Sequence, residues 1–182
     1  MHKTYVIDIH TSFGKRIDND PRFSLRNLLS ELDSHNVAAA LTFSSRGIYY
    51  DQVTGNEETH NTHLKYSHLL PVAVINLKDS PGWENELERI ITRSFRSVRI
   101  FPGLHGYSID SYSFHCLAEK LEKLHIPLLV SSLDCPTGWE LPSTIARITR
   151  KYSFPIVLPV SYTHLRAHET PEHLVCRLLL EK

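Results

Sequence analysis

A chain of 182 residues with 41% apolar residues carries enough apolar material for one hydrophobic core and one domain. Its 20 basic and 20 acidic residues cancel, so no extended field draws it to nucleic acid or to an anionic membrane, and no apolar run is long enough to span a bilayer. Three widely separated cysteines, Cys116, Cys135 and Cys176, suit a reducing compartment better than a disulfide framework; with strand-like sequence beginning by Tyr5, no export segment is expected and the expected location is cytoplasmic.

In chain order, the first element is an extended segment over Tyr5–Ile9, running into Thr11–Gly14. Asp8, His10 and Ser12 alternate along it, so period-2 geometry predicts that they project from one side. Leu25, Leu28, Leu29 and Leu32 then fall at helical spacing behind Ser24, a candidate N-cap. Val37–Phe43 reads as a second strand. The interval Asn56–His68 is almost wholly polar and is assigned as helix on weak grounds. Leu69–Ile75 reads as a third strand, followed by a helix with Trp83, Leu87, Ile90 and Ile91 on one stripe, introduced by Ser80 and Pro81. Ser97–Phe101 is a fourth strand. Phe114, Leu117, Leu121 and Leu124 mark the next helix, after Ser113. Ile126–Val130, a helix with Leu141, Ile145, Ile148 and Tyr152, and Phe154–Leu158 complete the series.

Strands thus begin about 30 residues apart, the size of a βα unit. Their apolar runs lack alternation, which predicts a parallel sheet covered on both faces, with right-handed crossovers. Connections from strand to helix are long and the returns are short, so the elaborated end is the carboxyl end of the strands, where sites sit in barrels and open sheets alike. Six strands fit either an open sheet or an α/β barrel of incomplete circumference, because a closed eight-stranded barrel takes about 250 residues. The first and sixth strands of such an array would have bare edges, an aggregation hazard.

The opening IDIHTSFG resembles the start of amidohydrolase-related proteins, whose first barrel strand ends in Asp-Xaa-His-Xaa-His before a glycine. SVRIFPGLHGYSID, an amphipathic helix and HIPLLVS resemble the fourth and fifth units of the same family. Residues 5–159 follow the family in order. The resemblance implies a (β/α)8 TIM barrel, here incomplete with about six parallel strands. It also implies one or two divalent metals, usually zinc, that activate water for hydrolysis, with some members decarboxylating aromatic acids. Of the family's ligand positions, His10 matches, whereas Ser12 replaces the second histidine and Ser131 and Ser132 stand where the fifth strand usually supplies another. Hydroxyls are poor substitutes for imidazole on zinc. A metal such as zinc belongs to the full-length family, and none is expected in this chain.

What remains is His10 with the fourth unit, which looks like the metal-poor branch of that family. Arg99 at a strand end is placed to hold a carboxylate bidentately, and His105, flanked by Gly103 and Gly106, is placed to act as acid or base. The expected site is therefore catalytic Arg99 and His105, with Tyr107 and Ser131 binding substrate and His10 as the one metal-ligand position. Glu57, His60 and His63 lie a helical turn apart, and His164 and His168 at i, i+4; a polar exposed helix explains the first set, and the second lacks the glutamate that a zincin helix uses as base. Cys135 and Trp139 lie in the fifth long loop, where an idle thiol is the simpler reading.

After Leu158 the βα repeat breaks. The tail SYTHLRAHETPEHLVCRLLLEK resembles translated adaptor or vector sequence, so residues 1–160 are assigned to the partial barrel and 161–182 to a non-native tail. Two functions follow. One is a hydrolase, or a decarboxylase or other lyase, acting on a small carboxylate-bearing molecule through an eroded metal site. The other is a non-catalytic binding or assembly module derived from such a barrel, or an inactive fragment of one. In either case the partner is a small molecule.

Overall fold

The computed structural model describes residues 5–79, 81–130 and 141–159. Six strands form one parallel sheet in the order of the sequence: β1 (Val6–Phe13), β2 (Val37–Ser44), β3 (Leu69–Val74), β4 (Ser97–Arg99), β5 (Leu128–Leu129) and β6 (Ile156–Val157). Helices α1 (Leu25–Ser34), α3 (Gln52–Lys65), α4 (Gly82–Ile91), α6 (Tyr112–Leu124) and α7 (Leu141–Lys151) alternate with the strands, and short helices α2 (Arg46–Tyr49) and α5 (Pro102–His105) follow β2 and β4. Sequential parallel pairing with a helix in every crossover makes an incomplete (β/α) barrel, as expected.

Two layers of side chains hold the sheet. On the helix side, Ala73, Ile75, Val98, Ile100, Leu128 and Val130 pack against Trp83, Leu87 and Ile90 of α4 and Phe114, Leu117 and Leu121 of α6, with Ile145 and Ile148 of α7. On the other side, Phe43, Val72, Val74, Phe101 and Leu129 form a second cluster with Leu41, Ile48 and Val157. The pairings Val74 with Arg99, Arg99 with Leu129, and Leu129 with Val157 place Arg99 in this inner layer. Of the anticipated helix stripes, Trp83, Leu87 and Ile90 of α4 and Phe114, Leu117 and Leu121 of α6 are buried, whereas Ile91 and Leu124, at the ends of their helices, are exposed. Helix α6 starts earlier than expected, because Ser111 rather than Ser113 accepts the Phe114 N–H.

Helix α3 is the departure. Its buried residues are Gln52, Gly55, Asn56, Thr59 and Thr62, none of them a hydrocarbon side chain. Gln52, Asn56, Thr59 and His63 fall at helical spacing and bond the sheet in turn. Gln52 Oε1 accepts Asn76 N–H (2.9 Å), Asn56 Oδ1 accepts Val74 N–H (2.8 Å), Asn56 Nδ2 donates to Val74 O (2.9 Å), Thr59 Oγ1 accepts Ser44 N–H (2.9 Å) and His63 Nδ1 donates to Leu69 O (2.9 Å). A polar stripe replaces the usual apolar one. Asp51 caps the helix by accepting Thr54 N–H at 2.6 Å.

Strand β1 differs in two ways from its expected form. It runs on to Phe13, past the predicted end at Ile9. It also carries a bulge, because Asp8 pairs with Ala40 but Thr11 with Thr42, so three steps on β1 match two on β2. A bulge resets the period-2 alternation. Asp8 therefore shares the face of Ala40, which packs with Leu32 and Leu69, while Ser12 pairs with Phe43 of the inner layer. The expectation that Asp8, His10 and Ser12 project from one side does not hold. Along this edge Tyr5, Val6, Ile7 and Ile9 are all exposed, Ile7 at 56%.

Candidate active site

Of the residues singled out from sequence, Arg99 ends β4, His105 and Tyr107 follow it, and His10 lies within β1. Arg99 is only 1% exposed. Its guanidinium carbon lies 5.1 Å from the ring centroid of Phe43 and 4.8 Å from that of Phe101, and the two rings meet edge to face at 5.7 Å. Aromatic faces favour a cation there, and guanidinium tolerates their company better than an ammonium because it is weakly hydrated.

His10 is the group on β1 that Arg99 influences most clearly. Solvent reaches the residue, yet the protein around the ring strips away hydration and lowers its pKa from 6.5 to about 4; the Arg99 guanidinium adds to the depression and Asp8 opposes it. The imidazole is neutral at pH 7. Asp8 itself turns back on the chain, Oδ1 accepting the His10 N–H at 2.9 Å across the bulge. Between about pH 6.5 and 4 the unfolded chain takes up the His10 proton before the folded one does, so this contribution to stability is lost as pH falls through that window. An NMR titration of the His10 ring is expected to show a midpoint near 4; in Arg99→Gln the midpoint rises.

His105 closes the one-turn helix α5, and Gly106 follows at φ 70°, a left-handed cap that glycine adopts without penalty. The His105 ring sits 6.0 Å from Phe101 and 6.3 Å from Tyr107, and its Nε2 is 3.0 Å from Ile48 O. A carbonyl only accepts, so Nε2 carries the proton. In the neutral ring Nδ1 is then the basic nitrogen. Arg99, Phe101, His105 and Tyr107 thus form one run along the fourth unit, with His105 bonded to α2 and Tyr107 packed against the helix-side core. Ser131, Cys135, Trp139, His164 and His168 lie outside the described residues, as does the tail assigned to 161–182.

The metal implied by the family resemblance finds no matching set of donors. Among the described residues no three His, Cys, Asp or Glu side chains converge. His10 stands beside a guanidinium that disfavours a second cation, Asp8 is bound to its own backbone, and Ser12 offers only a hydroxyl. Glu57, His60 and His63 do not assemble either. Glu57 is taken by Arg89 (2.7 Å) and Arg93 (2.6 Å), His63 bonds Leu69 O, and His60 stacks on Phe95 at 6.3 Å.

Sequence reasoning noted that Phe101 alternates with Arg99 along β4 but missed Phe43, two strands away, whose place beside Arg99 depends on register. It also missed Gln52 and Asn56, whose signal was the i, i+4 spacing of amides.

The structure is an incomplete α/β barrel in which Arg99, Phe43 and Phe101 form part of the inner layer. No family model matches the sequence, and no curated protein is significantly similar to it. Solved structures do match. An uncharacterised TIM-barrel protein from Bordetella bronchiseptica superposes with a TM-score of 0.66 at 14% identity, covering 85% of this chain and 66% of that one. A 5-carboxyvanillate decarboxylase from Sphingomonas paucimobilis gives 0.63 at 15% identity, over 85% and 67%. A probable 2-pyrone-4,6-dicarboxylic acid hydrolase from Acinetobacter baumannii, solved with citric acid bound, gives 0.58 at 20% identity, over 85% and 58%. The likeness establishes the barrel fold. The chain spans less than two thirds of the length of the Acinetobacter and Bordetella proteins. Among the described residues no helix is long and apolar enough to cross a membrane.

Proposed function

We propose that this chain is the larger part of an amidohydrolase-related barrel enzyme, a hydrolase or decarboxylase acting on a small carboxylate-bearing molecule. The observation that carries the proposal is Arg99: a guanidinium buried at the carboxyl end of a central strand, beside the rings of Phe43 and Phe101. Such a group binds a carboxylate through two parallel hydrogen bonds, while the rings pack the substrate's apolar body. His105 is oriented by its bond to Ile48 O, and Nδ1 is the atom that takes or gives a proton at the reacting carbon. Neutral His10 contributes a hydrogen bond without adding charge. Hydrolase and decarboxylase neighbours of the same fold support the substrate class.

A second reading, a binding module without turnover, is favoured by one specific feature: the Nε2 proton of His105 is already spent on a backbone carbonyl. Turnover of a panel of small aromatic and aliphatic carboxylates, with metal content measured on the same sample, tests both. Arg99→Ala is expected to weaken carboxylate binding by about a hundredfold, the loss of two charge-assisted hydrogen bonds. His105→Ala is expected to lower turnover by about 10²-fold or more with binding retained. Binding without turnover supports the module; absence of both removes the two readings together.

A further inference from the structure

Beyond Arg99, the site has a second cation within reach of the His105 loop. The segment after β3 leaves the sheet beside Arg99, with Ile75 N–H donating to Arg99 O at 3.0 Å. It then makes a braced turn. Asn76 Oδ1 accepts the Lys78 N–H (3.1 Å), Gln52 Oε1 accepts the Asn76 N–H (2.9 Å), and Gln52 Nε2 donates to Asp79 Oδ2 (2.8 Å). Both ends of the Gln52 amide therefore fix the loop that carries Lys78. The Lys78 ammonium reaches across to the fourth unit: a Cβ placed on Gly106 would lie 3.3 Å from Nζ. Among the described residues no carboxylate lies within ion-pair distance of that ammonium. Its neighbour Asp79 is turned to Gln52. Glycine at 106 thus does two things, capping α5 and leaving room for a cation above the backbone that joins His105 to Tyr107.

We propose that Lys78 is a specificity residue of this site, binding a second anionic group on a substrate whose first carboxylate is held by Arg99. The inference rests on the reading of Arg99 given above. An ammonium is a point charge on a flexible stem, suited to a second anion whose position varies, whereas the fixed fork of Arg99 sets the orientation. The substrate class is then a small ring or short chain bearing two anionic groups.

Calorimetric titration with isophthalate and benzoate, which share a ring and differ by one carboxylate, tests this on the whole chain. The unmodified protein is expected to bind isophthalate at least tenfold more tightly. Lys78→Met is expected to bring isophthalate to the benzoate level and to leave benzoate unchanged, and Lys78→Arg to restore the preference. Equal loss for both ligands, or no loss for either, overturns the proposal, as does a lowered melting temperature in Lys78→Met with the preference intact, since that marks Lys78 as a helix-terminus brace only. If the unmodified protein binds neither ligand, the reading of Arg99 falls and the role of Lys78 falls with it. If benzoate binding depends on Arg99 but the preference does not depend on Lys78, only the latter is lost.

Discussion

Gly55→Ala is expected to destabilise the fold severely. Helices α2 and α3 cross with their backbones in contact, and a methyl group at residue 55 would sit under 3.0 Å from both the amide nitrogen and the Cα of Gly47, closer than any real Cβ contact. Both obstructing atoms are main chain, so no rotamer change relieves the clash. Overpacking a core costs about 1–3 kcal/mol when side chains can adjust, and here the cost is expected at or beyond the upper end, on the order of 3 kcal/mol, a large share of an ordinary domain's stability. Urea unfolding followed by circular dichroism measures it. Val53→Ala, on the exposed side of the same helix, is the control and is expected to stay within about 0.5 kcal/mol. A Gly55→Ala midpoint equal to that of the control would show that α2 and α3 separate easily.

The second large effect is expected at Asn56. The residue is fully buried, and its one amide serves three partners: Val74 N–H, Val74 C=O and the Glu86 carboxylate, the last at 2.7 Å. Glu86 is also buried and is held by Arg89 through Nε and Nη2, both at 2.7 Å, while Nη1 of Arg89 reaches Glu57. Asn56→Ala leaves the Val74 amide and carbonyl with a partner missing in the core, at about 1–3 kcal/mol for each unsatisfied group, so a loss of about 3 kcal/mol is expected. Asn56→Asp is expected to be worse at neutral pH, because it sets a second carboxylate against Glu86, and to recover partly as acid neutralises one of the pair. Denaturant midpoints at pH 7 and pH 5 check both statements. An Asn56→Asp protein more stable at pH 7 than at pH 5 would contradict this account of the network.

The same helix shows why part of this fold is legible in the sequence and part is not. Strands β2 and β3 and helices α4 and α6 announce themselves because hydrocarbon burial is indifferent to detail: Val37–Phe43 and the Trp83, Leu87, Ile90 stripe are visible as apolar residues at a period. Helix α3 buries an equal face with amides, hydroxyls and glycine, and a search for apolar periodicity sees only a polar interval there. The spacing of Gln52, Asn56, Thr59 and His63 carried the information in another alphabet. Arg99, His105 and Tyr107 lie within nine residues on one unit, so a local stretch of sequence was enough to group them as candidates. The bulge in β1 was not legible, since one added residue changes facing without changing composition, and it set Asp8 and Ser12 on opposite faces of the sheet. Phe43 and Lys78 come from other units, and only strand register brings them near.

Hydrophobic contacts resist separation but hardly resist sliding, whereas hydrogen bonds fix position to a fraction of an ångström. By bonding Ser44, Val74 and Asn76 from outside the sheet, α3 works as a gauge block that sets how far β2 and β3 project before their loops begin. The start of the loops after β2 and β3, and with it the turn that carries Lys78, is thereby set by a helix lying outside the strands.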